Sequence, residues 1–159
     1  MSTVLSAWNR LSGTLPGRLV VSGAVWLRAP YFLTAAPVVA ELDEKHSRVR
    51  MQKWWLVHNH LGTVHAIASC NLAEYAMGVL AEAAVPASHR WIPIGMDVRY
   101  LATAKTSVTA AAQWSTPPRF GADKEDVTVE VAVRDAAGTE AVHAAIHLRI
   151  SPRRGAPRS

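Results

Sequence analysis

Only one cysteine, Cys70, occurs in the 159 residues. No disulfide can close within the chain, and a lone thiol inside an apolar stretch suits a reducing, cytoplasmic compartment. Charge is also scarce: 18% of residues are charged and 50% are hydrophobic, which excludes a disordered chain. No nucleic-acid-binding motif accompanies the formal charge of +5, and Arg153, Arg154 and Arg158 of that surplus sit in the ending SPRRGAPRS. The body is therefore only mildly basic, and nucleic acid is not an expected partner. Internal repeats are absent, and apart from the ending there is no low-complexity segment. The apolar run Leu19 to Leu27 is short, contains Gly23 and leads into Arg28 without a small-x-small cleavage site. It reads as part of the domain, not as a signal peptide.

What is present is enough chain for one domain with a real core. Trp8, Leu11 and Leu15 recur at helical spacing, and Pro16-Gly17 breaks that pattern. Leu19 to Leu27 predicts a second short helix that ends before Pro30. These helices are expected to pack on the domain's own sheet, with membrane contact the lesser alternative. Val38 to Leu42 predicts a strand, Asp43-Glu44-Lys45 a turn, and Arg48 to Val57 a second strand covered on both faces. Val64 to Ala84 predicts one buried, alanine-rich helix ending near Pro86. It is long enough to span a bilayer, but Asn71 and Glu74 near its middle argue against that.

The remainder alternates at period two. Ile92, Ile94, Met96, Val98 and Tyr100 mark one strand; Val108, Ala110, Ala112 and Trp114 the next. Val127, Val129, Val131 and Val133 follow, then the turn Asp135 to Gly138, then Val142, Ala144, Ile146, Leu148 and Ile150. A strand pair, one buried helix and four antiparallel strands make an α+β layout with a helix against one sheet. The division expected is a helical extension over residues 1–34, a main domain over 35–151 and a disordered basic tail over 152–159.

The segment from His58 to Gly78, HNHLGTVHAIASCNLAEYAMG, carries the chemistry. Asn59, Gly62 and His65 stand at three-residue steps ahead of the helix, and Glu74 is its central acid. Asn71, Glu74 and Gly78 fall at i, i+3 and i+7 and should share a face. Burial would raise the proton affinity of Glu74 and suit it as a general base or a nucleophile. A structural acid hydrogen-bonded across a dimer interface is the alternative. The helix N-terminus presents unpaired N–H groups able to hold an oxyanion. Gly62 fits a turn with positive φ, and Asn59 an Asx-type turn or a helix-entry cap. His58, His60 and His65 have no cysteine or second acid beside them, so a zinc site is not expected.

The layout resembles the hotdog fold, a curved antiparallel sheet of five to six strands wrapped around one long central helix. The motif is similar to that of hotdog acyl-CoA thioesterases, including the phenylacetate-pathway type: N-x-x-G-x-x-H-G-G-x-x-x-x-L-A-D/E. Here it reads Asn59, Gly62, His65, Ala66, Ile67, then Leu72, Ala73 and Glu74. The flanks AIASCNLAEYAMG and HRWIPIGMDVRYLATAKTSVTA resemble a bacterial branch of unknown function. Two positions depart from the pattern: Ala66-Ile67 replaces Gly-Gly, so Ile67 would narrow the site. Gly78 stands where some thioesterases carry serine or threonine.

The resemblance implies hydrolysis of an acyl-CoA or related thioester, with coenzyme A as part of the substrate and no further cofactor. Glu74 would activate water or attack the carbonyl, the backbone N–H of Ala66 would hold the oxyanion, Asn59 would position the reactants and His65 would hold the turn. Ile67, Asn71, Gly78 and Arg90 would contact substrate, Lys105 and Arg119 being further candidates for the coenzyme A phosphates. The site would lie between subunits, so a homodimer or tetramer is implied. A non-catalytic acyl-binding hotdog protein is the rival reading. Trp54, Trp55, Trp91, Tyr75 and Tyr100 either line an aromatic pocket or are core.

Overall fold

The computed structural model describes residues 2–153. Helix α1 (Thr3–Leu11) is capped by the Ser2 side chain, and α2 (Leu15–Arg28) by Thr14. Pro16 therefore opens α2 and does not separate it from a later helix. Its missing N–H falls in the first turn, where no intrahelical bond is made. Gly17 is needed because α1 ends against it: a Cβ there would lie 1.9 Å from the Leu11 carbonyl oxygen. After α2 comes a 3-10 turn, Pro30–Thr34.

Six strands form one antiparallel sheet: β1 (Val38–Leu42), β2 (His46–Met51), β3 (His89–Tyr100), β4 (Val108–Trp114), β5 (Glu125–Asp135) and β6 (Glu140–Pro152). Their spatial order is β1-β2-β4-β5-β6-β3. The long helix α3 (Ala66–Ala84) lies against the sheet's inner face. Ala73, Ala76 and Ala81 are fully buried there with Leu72 and Leu80, against Val49, Val108, Ala110, Val129, Val131 and Ile146. Small side chains on α3 let the curved sheet close around it, which is the hotdog arrangement expected. The Ser47 hydroxyl donates to the Ala76 carbonyl at 2.7 Å and pins the middle of α3 to β2.

The helical extension is tied to the sheet edge by two polar contacts. Buried Ser22 accepts the N–H of Val39 at 3.0 Å, and the Trp26 indole donates to the Pro37 carbonyl. Both satisfy backbone groups of the edge that would otherwise be desolvated without a partner.

Four expectations need correction. Strand β2 stops at Met51, and Trp55–Val57 is a 3-10 turn with Trp55 exposed. The ladder ends there because Met51 pairs with Val108, the first residue of β4. Nor is β2 covered twice: His46, Arg48 and Arg50 on its outer face are exposed. On β3, a bulge between Pro93 and Gly95 shifts the alternation. Trp91 before it and Met96 and Val98 after it face the core, while Ile92 and Ile94 are exposed. Finally, the chain stays ordered into the expected tail: β6 includes Pro152, and the Arg153 N–H donates to the Ser88 carbonyl at 2.8 Å. The rest of that tail, 154–159, lies outside the described residues.

Candidate active site

The loop before α3 is shaped by Asn59. Its Oδ1 accepts the N–H groups of Leu61 and Thr63, and its Nδ2 donates to the Thr63 hydroxyl at 2.8 Å. This is the Asx-type turn of the two readings open for Asn59. Gly62 has φ +71°, the left-handed conformation expected of it. His58 and Val64 pair as an isolated bridge, and the His65 N–H donates to the Val57 carbonyl at 2.8 Å.

His65 is the N-cap of α3, its Nδ1 accepting the N–H of Ile67 at 3.1 Å. The expectation that His65 holds the turn is met. No acceptor among the described residues takes the N–H of Ala66. That N–H sits at the positive end of a 19-residue helix, where the dipole favours negative charge.

Glu74 is exposed, as is Ile67, so the burial expected for this carboxylate is absent within one chain. The shared face of Asn71, Glu74 and Gly78 is likewise divided by what covers it. Asn71 is buried beneath the 3-10 turn, its Nδ2 3.5 Å from the Thr34 hydroxyl and its Oδ1 without a partner. Gly78 lies under Trp91, whose ring edge would be 3.7 Å from an added Cβ. Glu74 alone of the three stands open. Ile67 and Glu82 are exposed on the same side of α3, with Cys70 half-buried between Ile67 and Glu74.

The Cys70 thiol lies 3.5 Å from the Tyr100 hydroxyl, one turn before Glu74. That hydrogen bond is the chief cause that raises the proton affinity of the Tyr100 phenol. Beside the helix N-terminus is a pocket of about 220 Å³ bounded by Tyr31, Thr34, Leu56, His58, Ile67 and Asn71. Ile67 and Asn71 are thus brought together with the turn in one pocket. Arg90 is not: it is the second residue of β3, beyond the C-terminal end of α3, and its Nε donates to the Ser151 hydroxyl at 3.3 Å. Sequence reasoning missed the wall made by Tyr31 and Thr34, for which Pro30 after a helix is the only local signal. Among the described residues no cluster of three His, Cys, Asp or Glu side chains is placed to hold a metal ion.

A small-residue helix wrapped by a six-stranded antiparallel sheet defines a hotdog-fold protein, here with a free N–H at the helix start and an open acid two turns on. The chain belongs to the family described as Domain of unknown function (DUF4442), which matches residues 17–150. The crystal structure of the genomics protein APC5556 is 34% identical, with a TM-score of 0.79, covering 94% of this chain and 99% of its own. The thioesterase HI1161 of Haemophilus influenzae superposes with a TM-score of 0.70 at 12% identity, over 80% of this chain and 87% of that one. A mutant of the thioesterase PA1618 of Pseudomonas aeruginosa gives 0.73 at 17% identity, over 85% and 94%. The last two likenesses show the shared fold. No curated protein matches the chain in sequence.

Proposed function

We propose that the protein hydrolyses an acyl thioester such as an acyl-CoA, in a site completed by a second copy of the chain. The observation that carries this is the placement of an unclaimed N–H, that of Ala66, and an open carboxylate, Glu74, on the uncovered side of one helix. At 1.5 Å per residue the two backbones are about 12 Å apart along α3. That is too far for one chain to serve a single carbonyl, and two antiparallel copies of α3 would bring one chain's Ala66 towards the other's Glu74.

Glu74 takes a proton from water as the oxygen attacks the carbonyl carbon. The N–H of Ala66 holds the resulting oxyanion. Collapse breaks the carbon–sulfur bond, and the proton passes from Glu74 to the leaving sulfur, giving an acid and a thiol. Asn59 acts mainly by shaping the turn, and its second Nδ2 proton remains free for substrate. The covering of Glu74 by the second copy would supply the desolvation that one chain lacks.

The test is hydrolysis of a panel of acyl-CoA substrates by the full chain and by Glu74→Gln. Loss of about 10²–10⁴-fold in kcat, with folding unchanged, is expected for a general base. Turnover unaffected by Glu74→Gln overturns the assignment. Ile67 at the pocket mouth, where the thioesterase motif has glycine, favours a second reading: tight acyl-CoA binding without turnover would select an acyl-binding protein.

A further inference from the structure

Helix α2 carries apolar residues on both its covered and its open side. Gly17, Val21 and Ser22 are buried against the body of the protein. The opposite side carries Leu15, Leu19, Val20 and Leu27, exposed by 66, 43, 62 and 85%. Pro16 and Ala24, also exposed, fill the same arc, and no polar side chain interrupts it. A surface helix normally turns its polar side to water. A contiguous aliphatic face of this kind marks an interaction surface.

The charge around it identifies the partner. Residues 1–40 contain no aspartate or glutamate, while Arg10, Arg18 and Arg28 all lie in this stretch. Arg10 and Arg28 are exposed, and Arg28 directly follows the bare Leu27. We propose that α2 docks on the surface of an anionic lipid bilayer, with Leu15, Leu19, Val20 and Leu27 at the headgroup boundary and the exposed Arg10 and Arg28 against lipid phosphates. Aliphatic side chains flanked by arginines are the pattern of helices lying in that interface, since the long cationic side chains reach back to the phosphates. A second copy of the chain fits less well: two-fold contact through this face would oppose arginines with no acid in the segment to neutralise them. No helix among the described residues is long and apolar enough to cross the membrane, so the contact is peripheral. The helices do pack on the sheet as expected, with one face of α2, and docking on a bilayer takes up the lesser alternative for the face left bare.

The position has a consequence for substrate access. Tyr31, exposed and just beyond α2, also lines the pocket at the start of α3. The docking face and the pocket mouth therefore adjoin, and an amphiphilic acyl thioester could pass from bilayer to site. That consequence rests on the hydrolase reading; the docking itself does not, and a vesicle assay and a turnover assay separate the two.

Co-sedimentation of the full chain with vesicles of phosphatidylcholine, with and without phosphatidylglycerol, tests the proposal. The wild type is expected to pellet with the anionic vesicles and to be released by salt. The double variant Val20→Glu/Leu27→Glu, at positions exposed in the fold, is expected to lose about tenfold or more in partitioning while keeping its melting temperature. Arg10→Ser/Arg28→Ser should weaken only the anionic binding. Failure of the wild type to pellet with anionic vesicles overturns the proposal, as does pelleting unchanged in Val20→Glu/Leu27→Glu. Light scattering on the same proteins distinguishes the other occupants. A drop in mass for Val20→Glu/Leu27→Glu, with no vesicle binding by the wild type, assigns the face to a second copy and overturns the membrane assignment.

Discussion

The Nδ1 of His65 accepts the N–H of Ile67 at 3.1 Å, so an imidazole caps α3 where serine or aspartate more often would. The cap satisfies one N–H of the first turn and leaves that of Ala66 for a ligand. Replacing His65 with alanine should therefore cost about 1 kcal/mol, the usual value of a lost N-cap. For a domain of this size that lowers Tm by about 2–4 °C. His65→Asn can cap in the same way and should recover most of the loss. Thermal denaturation of the two variants checks this, and equal melting of His65→Ala and wild type would remove the capping role.

Gly62 sits at φ +71° with open space around its Cα, so a side chain there meets backbone strain and no clash. Gly62→Ala should destabilise by about 1–2 kcal/mol, the cost of a left-handed alanine. Gly62→Asn should cost less, because asparagine visits that conformation more readily. If the turn presents Ala66 to substrate, Gly62→Ala should also reduce kcat beyond any change in KM. Denaturant titration and steady-state kinetics separate the two effects.

Gly78 offers the opposite case. An added Cβ would meet only the Trp91 ring edge, at an ordinary 3.7 Å, and φ is not positive there. Gly78→Ala should stabilise α3 by up to about 1 kcal/mol through helix propensity. A rise in Tm of about 2–4 °C is the expected result. A fall in Tm would mean that the backbone at Gly78 must approach something other than Trp91.

Much of this arrangement is legible in the sequence because β4, the run Val127 to Val133 of β5 and the run Val142 to Ile150 of β6 alternate, and their inward residues are the buried ones. The spacing from Asn59 to Glu74 also stands in the sequence, and the turn and the helix fall close to where it places them, with His65 and not Asn59 as the cap. What failed has identifiable causes. The alternation through Ile92 and Ile94 is broken by one extra residue, which moves side chains to the other face without altering composition. The overlong β2 reflects a missing ladder partner, a fact about β4 and not about Trp55. Glu74 was expected to be buried because α3 is apolar all round. Pattern alone does not tell which side the same chain covers, and Ile67, Glu74 and Glu82 are left bare. The pocket wall from Tyr31 and Thr34 comes from a segment more than thirty residues before Asn71, beyond any local signal.

On the outer face of the sheet, His143 is held between two carboxylates: Nδ1 lies 2.8 Å from Glu140 and Nε2 3.0 Å from Glu130. The hydrogen bond to Glu140 and then that to Glu130 raise its pKa above 6.5, and partial burial opposes them. A proton bound more tightly in the folded state stabilises that state. The contribution is complete below the unfolded value of about 6.5 and is lost as pH rises through the higher folded value. Both partners are carboxylates, so it also fades in acid once they are protonated. Because all three side chains are partly exposed, the effect should fall in the range of surface pairs, under about 1 kcal/mol. Urea midpoints of the wild type and His143→Gln should therefore differ more near pH 6 than near pH 8.5, with the wild type favoured at the lower value. A difference that is flat across this window, or larger at the alkaline end, would show that His143 does not carry the proton between Glu130 and Glu140.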